Sequence, residues 1–350
     1  MIIKCFSGNI TFKTWLIILL VLPNQNSFGQ KATNVIVNIP TIPVQIDSMI
    51  YGQMLENVND SVIYRGVVSE DGKVRTHLIP LLKELKIPIM RWPGGTVVHE
   101  YHWRNGVGPK ELRPKVFTHA WKGKETYQFG TDEFLQWCNE IGTTPYLNFN
   151  MGNDAEYGGT LGEAMEWIEY VNGNPDSSNF GKMRAHFGHK SPYNVLYWCL
   201  GNENYGPWGK HVAENAEQYG TLLSLWAETI NKKFEHLKLI GVGHTSEWNK
   251  TVLEKAGKEI DFLTQHYYIT SKFKNDTIEN PHNSLFAPVL MEEHLKLLGK
   301  HLNLYNSLNR KNTIPIRLSI DEYNNRHFVS NGKEYKFNRQ DPRRLADVAI

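Results

Sequence analysis

Strand-like and helix-like segments alternate along this chain of 350 residues, and this alternation limits its fold more than any other feature. Each predicted strand is separated from the next by a segment of helical periodicity. Such alternation is typical of parallel α/β architectures, in which helices cover a buried sheet. The seven predicted strands are residues 50–54, 87–92, 145–150, 195–200, 237–242, 262–268 and 316–320.

The segments between these strands carry the 3.6-residue periodicity of amphipathic helices. In the clearest of them, Thr131 is placed to cap the helix, Asp132 and Glu133 favour its first turn, and Gly142 ends it. The predicted helices are residues 77–85, 131–141, 162–171, 214–234, 250–256 and 288–308.

Two parallel architectures fit this order of elements. A doubly wound sheet would often place a glycine-rich phosphate loop at the start of a helix, and the sequence contains none. Polar residues instead occupy the carboxyl ends of nearly every strand, as in a (β/α)8 TIM-type barrel, where active-site residues collect on that face. These residues are Glu56, Arg91, Asn148, Asn150, Glu203, His244, His266 and Glu322. We therefore predict an α/β fold of the (β/α)8 barrel type.

An eighth strand is not found in the sequence. Asp341 and Pro342 are typical of the cap and first residue of a helix, and Arg343–Ile350 would begin it without reaching a C-cap. The expectation is a barrel over residues 50–350 that is truncated before its eighth strand. Residues 30–49 precede it and contain an alternating strand-like segment at 34–39.

Residues 1–29 have the pattern of a secretory signal peptide, with a disordered tail as the alternative. Lys4 and Lys13 precede an apolar run at 15–22 that is too short to span a bilayer. A secreted or periplasmic protein is expected. Without these two lysines, basic and acidic residues are equal in number, so charge gives no reason to expect nucleic acid or anionic lipid as a partner.

Cys5 lies within the expected signal peptide. The other two cysteines, Cys138 and Cys199, lie in apolar periodic segments. Buried thiols are therefore predicted rather than a disulfide. The sequence contains neither paired-cysteine spacing nor a His-Glu-x-x-His motif, and its histidines are scattered. Neither a metal nor another cofactor is expected.

Glu203 and Glu322 each stand at the exit of a predicted buried strand. Hydrolysis of a glycosidic bond needs one carboxylic acid to protonate the leaving oxygen, and a second carboxylate to attack the anomeric carbon or activate water. Asn202 could bind a sugar hydroxyl, and Trp103 and Trp208 could stack on a sugar ring. Single strand-end glutamates are more often solvated or ion-paired, so the residues alone leave a structural role and a carbohydrate-active site equally open.

Several motifs, in this order along the chain, resemble those of glycoside hydrolase family 51, which comprises mainly α-L-arabinofuranosidases. The resemblance covers roughly residues 50–324. The motifs are Tyr51-Gly52 with Glu56, Arg91–Gly95, Trp103 with residues 106–109, residues 128–134, Trp198–Glu203 with Gly206–Trp208, His266–Tyr268 and Asp321–Asn324.

This resemblance implies a role for each matching residue. Glu203 would be the acid/base and Glu322 the nucleophile of a retaining mechanism. Arg91 would support the charge of the nucleophile, and Tyr268 would donate a hydrogen bond to its carboxylate.

The resemblance also implies how the sugar would be bound. Glu56 and Asn202 would hold hydroxyls of an arabinofuranose, and His266 would contact the sugar or the groups that bind it. Trp103 belongs to a matching motif and is retained as a substrate-binding candidate. The family barrel is accompanied by a β-sandwich built from N-terminal and C-terminal strands, of which residues 30–49 would be a remnant.

The sequence departs from the family pattern at two places. Thr96 stands where the family usually has a sugar-binding asparagine, and Asn325 and Arg326 follow the second glutamate where an aromatic residue often lines the pocket. These differences leave the mechanism intact but bear on the substrate.

The sequence therefore predicts a secreted retaining α-L-arabinofuranosidase that removes terminal non-reducing arabinofuranosyl residues from hemicellulose or pectin side chains. Its partner would be an arabinose-containing polysaccharide or oligosaccharide, with no nucleic acid and no membrane, and a homo-oligomer is left open. An endo-β-glucanase of the same family is one alternative. A catalytically silent carbohydrate-binding barrel is another, suggested by the truncation and by Thr96 and Arg326.

Overall fold

The seven predicted strands lie side by side in chain order as one parallel sheet. The computed structural model describes residues 45–58, 62–274, 277–280, 286–311, 313–330 and 335–337. From Ile46 onward these residues belong to one compact unit. The expected signal peptide, the strand at 34–39 and the helix expected after Asp341 lie outside the described residues.

The strands in chain order are β1 (Gln53–Met54), β2 (Ile89–Trp92), β3 (Val116–Thr118), β4 (Gly123–Glu125), β5 (Thr144–Phe149), β6 (Tyr197–Leu200), β7 (Lys238–Gly241), β8 (Phe262–Lys274), β9 (Thr277–Ile278), β10 (Arg317–Ser330) and β11 (Tyr335–Phe337). The parallel sheet runs β1-β2-β5-β6-β7-β8-β10, while β9 and β11 pair antiparallel with β8 and β10. A separate antiparallel hairpin is formed by β3 and β4.

The helices in chain order are α1 (Ile79–Leu85), α2 (Thr131–Ile141), α3 (Leu161–Asn172), α4 (Asn179–His186), α5 (Ala216–Lys233), α6 (Ser246–Ala256) and α7 (Ala287–Asn309). A predicted helix is present in each of the six connections, and α4 is an addition that its weakly apolar sequence did not indicate. Among the described helices, none combines the length and apolar character required to cross a bilayer.

Two details of the prediction were wrong. Thr131 is the first residue of α2 rather than its cap, which is Gly130. The Glu133 carboxylate accepts a hydrogen bond from the Gly130 backbone N–H at 2.9 Å, whereas the Thr131 hydroxyl accepts one from the Trp167 indole. The first two residues of the first predicted strand, Ile50 and Tyr51, belong instead to a 3-10 turn at Ser48–Tyr51, and β1 is confined to Gln53–Met54.

The last two parallel strands are longer than predicted because their pairing continues past the expected ends. β8 and β10 stay in register from Phe262 opposite Arg317 to Lys274 opposite Ser330, with one shift between Ser319 and Glu322. Such an irregularity re-aims the side chains that follow it. It places Glu322 inside a continuous strand rather than at a strand end.

The core lies between the sheet and its helices and is rich in aromatic rings. The indole of Trp198, on β6, stacks on Phe149 at 4.9 Å between ring centroids and meets Trp167 of α3 edge-on at 5.6 Å. Cys138 and Cys199 are buried free thiols, as predicted. The aromatic packing fixes β6 against its neighbours and thereby the segment that follows it.

The two outer parallel strands of the sheet approach each other. Arg317, at the start of β10, forms an ion pair with Asp47, which precedes β1. An apolar cleft of about 480 Å³ beside β1 also reaches Tyr323 of β10. The parallel sheet is therefore curled rather than flat.

Tyr219 of α5 fixes the carboxyl ends of β6 and β7. Its buried hydroxyl donates to the Leu200 carbonyl and accepts from the Val242 N–H, both at 2.7 Å. We expect Tyr219→Phe to lower the free energy of unfolding by about 1–3 kcal/mol, because it leaves buried backbone groups without this partner. Denaturant titration would measure the loss.

The matched control is Tyr323→Phe, since the Tyr323 side chain is more than half exposed. Its effect should stay within about 0.5 kcal/mol, as for most surface substitutions. Equal effects of the two substitutions would contradict the structural role of the Tyr219 hydroxyl.

Candidate active site

The carboxyl ends of β2, β6, β8 and β10 bring most of the predicted site residues together. Arg91 lies in β2, Asn202 and Glu203 follow β6, and the rest come from β8 and β10. The residues that share hydrogen bonds or ion pairs here are Arg91, Asn202, Glu203, His266, Tyr268 and Glu322.

Arg91 is the central cation of this cluster and is only 2% exposed. Its guanidinium donates to Glu322 Oε1 at 2.6 Å and to Asn202 Oδ1 at 2.7 Å, and its Nε lies 3.4 Å from Asp321 Oδ2. Burial would lower the pKa of Arg91, but the charges of Asp321 and Glu322 raise it well above its ordinary value. Arg91 therefore stays charged and neutralises two carboxylates.

Glu322 is held by donors on both carboxylate oxygens. Arg91 occupies Oε1, and the Tyr268 hydroxyl donates to Oε2 at 2.7 Å. A Cβ at Gly95 would lie 3.0 Å from Oε1, so the absence of a side chain there permits the close approach of this carboxylate. Such a carboxylate is held in one orientation by its two donors.

Glu203 follows β6 and Gly201 in a left-handed backbone conformation, with φ of 44°. Its Oε1 accepts from His266 Nδ1 at 2.8 Å and from the Tyr205 hydroxyl at 3.1 Å. The Tyr205 ring in turn stacks on His244 at 3.7 Å. The unusual backbone turns the carboxylate back over the sheet toward Glu322.

His266 lies among three carboxylates. Its Nδ1 is 2.8 Å from Glu203 Oε1 and 3.5 Å from Glu322 Oε2, and its Nε2 is 3.2 Å from Asp321 Oδ1. Burial would lower the pKa of His266, but the charges of Glu322 and Asp321 outweigh it and raise the pKa to about 10. His266 is thus an imidazolium at neutral pH: its Nδ1 donates to Glu203, and its Nε2 forms an ion pair with Asp321.

The pKa of Glu203 is affected in the opposite sense. Burial would raise it, but the hydrogen bond and charge of His266 outweigh burial and lower it. The pKa of Asp321 is likewise lowered against the effect of burial by Arg91 and His266. In the resting site, the proton shared by Glu203 and His266 therefore resides on the imidazole.

One ligand atom from each of Glu203, His266 and Glu322 lies within 4.8 Å of the other two. Within the described residues, this group has the spacing of a metal site. A metal-bound histidine must however be neutral, whereas His266 is held protonated. Binding of a metal ion by this group would therefore require loss of the His266 proton.

Glu56 borders the cluster on the side of β1. Its Oε1 accepts from the Val97 N–H and from the Trp121 indole N–H, both at 2.9 Å. Burial raises the pKa of Glu56 to about 7, and these two hydrogen bonds offset only part of that effect. Glu56 is thus close to half-ionised at neutral pH and can both donate to and accept from a hydroxyl.

One of the two aromatic residues predicted to stack on a sugar, Trp103, is a core residue instead. Trp103 is 1% exposed, packs on Tyr170 and Phe180, and donates to the Glu163 carbonyl, so it offers no face to a sugar. Trp208, 40% exposed, does present a face. Trp121, between β3 and β4, was missed, although a tryptophan in a short glycine-containing turn is a recognisable signal.

The two departures from the family pattern occupy distinct places. Thr96 begins the short 3-10 helix Thr96–Glu100 that follows β2. Asn325 accepts from Ser271 at 2.9 Å, and the Arg326 guanidinium lies over the Tyr268 ring, 4.1 Å from its centroid. Arg326 thus places a positive charge beside the tyrosine that contacts Glu322.

Comparisons with known proteins identify the family of the chain. Residues 81–284 match the family described as "Alpha-L-arabinofuranosidase 1 domain". A probable α-L-arabinofuranosidase C from Aspergillus clavatus is 40% identical over 219 residues, which are 60% of this chain and 42% of the relative. An intracellular exo-α-(1→5)-L-arabinofuranosidase from Acetivibrio thermocellus is 30% identical over 315 residues, 86% of this chain and 60% of the relative.

A solved structure supports the same relationship. The α-L-arabinofuranosidase from Thermotoga maritima, in an arabinose complex, is 33% identical and superposes with a TM-score of 0.69 over 81% of this chain and 56% of that protein. The chain therefore spans between 42% and 60% of the lengths of these three relatives. Since the match to the α-L-arabinofuranosidase 1 domain covers more than half of the sequence, the chain belongs to glycoside hydrolase family 51.

Proposed function

We propose that this protein is a retaining glycoside hydrolase that releases terminal non-reducing α-L-arabinofuranosyl residues from the side chains of hemicellulose or pectin. The observation that carries the proposal is the pair Glu203 and Glu322, two carboxylates held by different donors in one site, with Glu322 buried and Glu203 partly exposed. The names of the relatives, which are arabinofuranosidases, support the choice of sugar.

Glu322 is the nucleophile in this proposal. It attacks the anomeric carbon and forms a covalent glycosyl ester, while the bond to the leaving oxygen breaks. Arg91 and Tyr268 each bind one of its oxygens, which fixes the carboxylate for attack. They also stabilise the carboxylate when it departs in the second step.

Glu203 is the acid/base. It gives its proton to the leaving oxygen in the first step and takes one from the attacking water in the second. His266 supplies that proton through the 2.8 Å hydrogen bond to Glu203. When Glu322 becomes an ester, its negative charge disappears, and His266 then holds a proton less strongly.

The spacing of the carboxylates favours retention of configuration. An oxygen of Glu203 and one of Glu322 lie within 4.8 Å of each other. Retaining pairs are about 5–5.5 Å apart, whereas inverting pairs leave about 6.5–9.5 Å for a water molecule. The spacing of Glu203 and Glu322 is thus nearer to that of a retaining pair.

Glu56 and Asn202 are the proposed partners of the sugar hydroxyls, and Trp121 is the proposed wall of the pocket. Asn202 Oδ1 is occupied by Arg91, so its amide nitrogen is the group left to face a ligand. We also propose that the curled parallel sheet is part of a (β/α)8 barrel and that residues 1–29 direct export.

The first test separates the two glutamates. Glu322→Ala should abolish turnover of aryl α-L-arabinofuranosides, because no covalent intermediate can form. Glu203→Ala should lower the turnover rate about 10²–10⁴-fold on substrates with a poor leaving group, and much less on activated substrates. Added azide should rescue Glu203→Ala by attacking the glycosyl ester.

Steady-state kinetics on both substrates, with the azide product identified, would measure these effects. If both variants responded alike to leaving group and azide, the two roles would have no support. Turnover of a soluble β-glucan without release of arabinose would instead favour the endo-glucanase alternative.

The second test uses pH. In the intact protein, the shared proton is lost only as the pH rises through the raised pKa of His266, about 10. In His266→Gln the proton is held by the Glu203 carboxyl alone, whose pKa is lower. The alkaline limb of kcat/KM should therefore move to lower pH by at least about 1 unit.

The control is His189→Gln. His189 stacks on Tyr193 in the segment that precedes β6, at the opposite ends of the strands from the site. Its pH profile should match that of the unchanged protein. An alkaline limb that stayed in place or moved upward in His266→Gln would show that the two groups do not share a proton.

The third test concerns Glu56. The folded-state pKa of Glu56, about 7, exceeds its ordinary value of 4.5, so its ionisation destabilises the fold as the pH rises between these values. Glu56→Gln keeps an acceptor for Val97 and Trp121 and removes this cost. We expect stability to increase by about 3 kcal/mol at pH 8, with little change at pH 4, while KM for the arabinofuranoside rises.

Unfolding at both pH values would measure the difference, with Glu140→Gln on the exposed face of α2 as control. Glu140→Gln should shift stability equally at the two pH values. A pH-independent effect of Glu56→Gln would argue that Glu56 is not a strained buried acid.

A further inference from the structure

Two buried histidines, His99 and His211, stack face to face beside the catalytic glutamate. Their ring centroids are 4.2 Å apart and their planes are inclined by 14°. They come from different segments: His99 lies in the 3-10 helix Thr96–Glu100, and His211 lies in the loop between Glu203 and α5. Neither ring touches the catalytic carboxylates, and the mechanism above does not use them.

Both rings contact the backbone on either side of Glu203. His99 Nε2 is 2.5 Å from the Asn202 carbonyl, and His211 Nε2 is 3.0 Å from the Asn204 carbonyl. A carbonyl oxygen can only accept, so each Nε2 must carry the hydrogen and donate it. The two peptide carbonyls that flank the catalytic glutamate are thus each bound by an imidazole.

Their environment keeps both rings neutral. Burial lowers the pKa of His99 to about 3, with a further contribution from His211, and burial also lowers the pKa of His211. Each Nδ1 is buried without a hydrogen-bond partner among the described residues. No acceptor is therefore present there for a second ring proton, which agrees with a neutral ring that carries its hydrogen on Nε2. Two neutral rings can stack closely, because neither carries a charge that would repel the other.

This restraint is placed where the backbone needs it. Glu203 has φ of 44°, a conformation that residues with a side chain rarely adopt. Further hydrogen bonds join Asn202 N–H to Asn204 Oδ1 and Gly206 N–H to the Glu203 carbonyl. The Asn202 and Asn204 carbonyls, however, are fixed from outside this turn by the histidine pair.

We propose that His99 and His211 are positioning residues that hold the backbone of Glu203 in its left-handed conformation, so that its carboxylate meets both His266 and the leaving oxygen. The inference rests on the proposed role of Glu203 as acid/base. Stacking makes the pair act as one unit, because the position of each donor is fixed by the face of the other ring. Loss of either donor would displace the Glu203 carboxylate from its position, although the carboxylate itself would still be present.

The test compares substrates that need protonation with substrates that do not. His99→Phe keeps a flat ring against His211 but cannot donate to the Asn202 carbonyl. We expect kcat on phenyl α-L-arabinofuranoside to fall about 10²-fold, as for a catalytic group misplaced by about 1 Å. A dinitrophenyl arabinofuranoside has a leaving group that needs no proton. On this substrate the rate of the same glycosylation step should fall by less than about threefold.

A conservative variant and a matched control complete the set. His99→Gln offers an amide N–H to the same carbonyl and should recover most of the activity on the phenyl substrate. His189→Phe replaces a stacked histidine remote from the site and should show no dependence on the leaving group. A merely structural role of His99 would lower the amount of folded enzyme and reduce both activities equally.

Glu203→Gln distinguishes failure of the inference from failure of the proposed function. If the loss of activity in Glu203→Gln depends strongly on the leaving group and the loss in His99→Phe does not, the positioning role is wrong and the acid/base assignment stands. If Glu203→Gln shows no such dependence, the acid/base assignment itself is wrong.

Should His99→Phe not fold, His211→Phe replaces it in the test. The Asn204 carbonyl also accepts from the Glu214 N–H at 2.9 Å, so this variant leaves no buried carbonyl unpaired. His211→Phe should also lower kcat selectively on the phenyl substrate. The expected loss is about tenfold, because Glu203 would be displaced less than in His99→Phe. Equal losses on both substrates would overturn the inference.

Discussion

The structure of the site depends on the buried guanidinium of Arg91. A charge this far from water is tolerated only when opposite charges and hydrogen bonds compensate it. Glu322 and Asp321 supply the charges, and Asn202 supplies a further acceptor. These contacts join β2, the end of β6 and β10, so the same interactions that neutralise Arg91 also set the distance between the two catalytic glutamates.

The sequence predicted the seven parallel strands because each is a short apolar run bounded by turn residues, and it predicted the shared site because parallel strands end on the same side. It did not predict the lengths of β8 and β10, since their continuation depends on pairing with each other rather than on an apolar pattern. Nor could it predict that Glu322 lies within a strand, because a shift in register leaves no signal in composition.

Side-chain placement within the site was predicted less completely. Motifs identified Arg91, Glu203 and Glu322, but Trp103 was assigned to the sugar because it is aromatic, and it is instead a core residue. Trp121 was missed because it approaches Glu56 only through the β3–β4 hairpin, a contact between distant segments. Spacing along the chain predicts which strand end a residue occupies, whereas only packing determines whether its ring faces the pocket or the core.

The short 3-10 helix Thr96–Glu100 has a consequence for how this site can diversify. Three of its five residues serve three different parts of the site: Val97 binds Glu56, His99 binds the Asn202 carbonyl, and Glu100 accepts from the backbone of residues 119 and 120 beside Trp121. Inserting or deleting one residue here would displace all three partners at once. Changes in loop length are a common source of new specificity in α/β enzymes, but this loop should not tolerate them. New substrate preferences would instead arise by exchange of single side chains or at other loops.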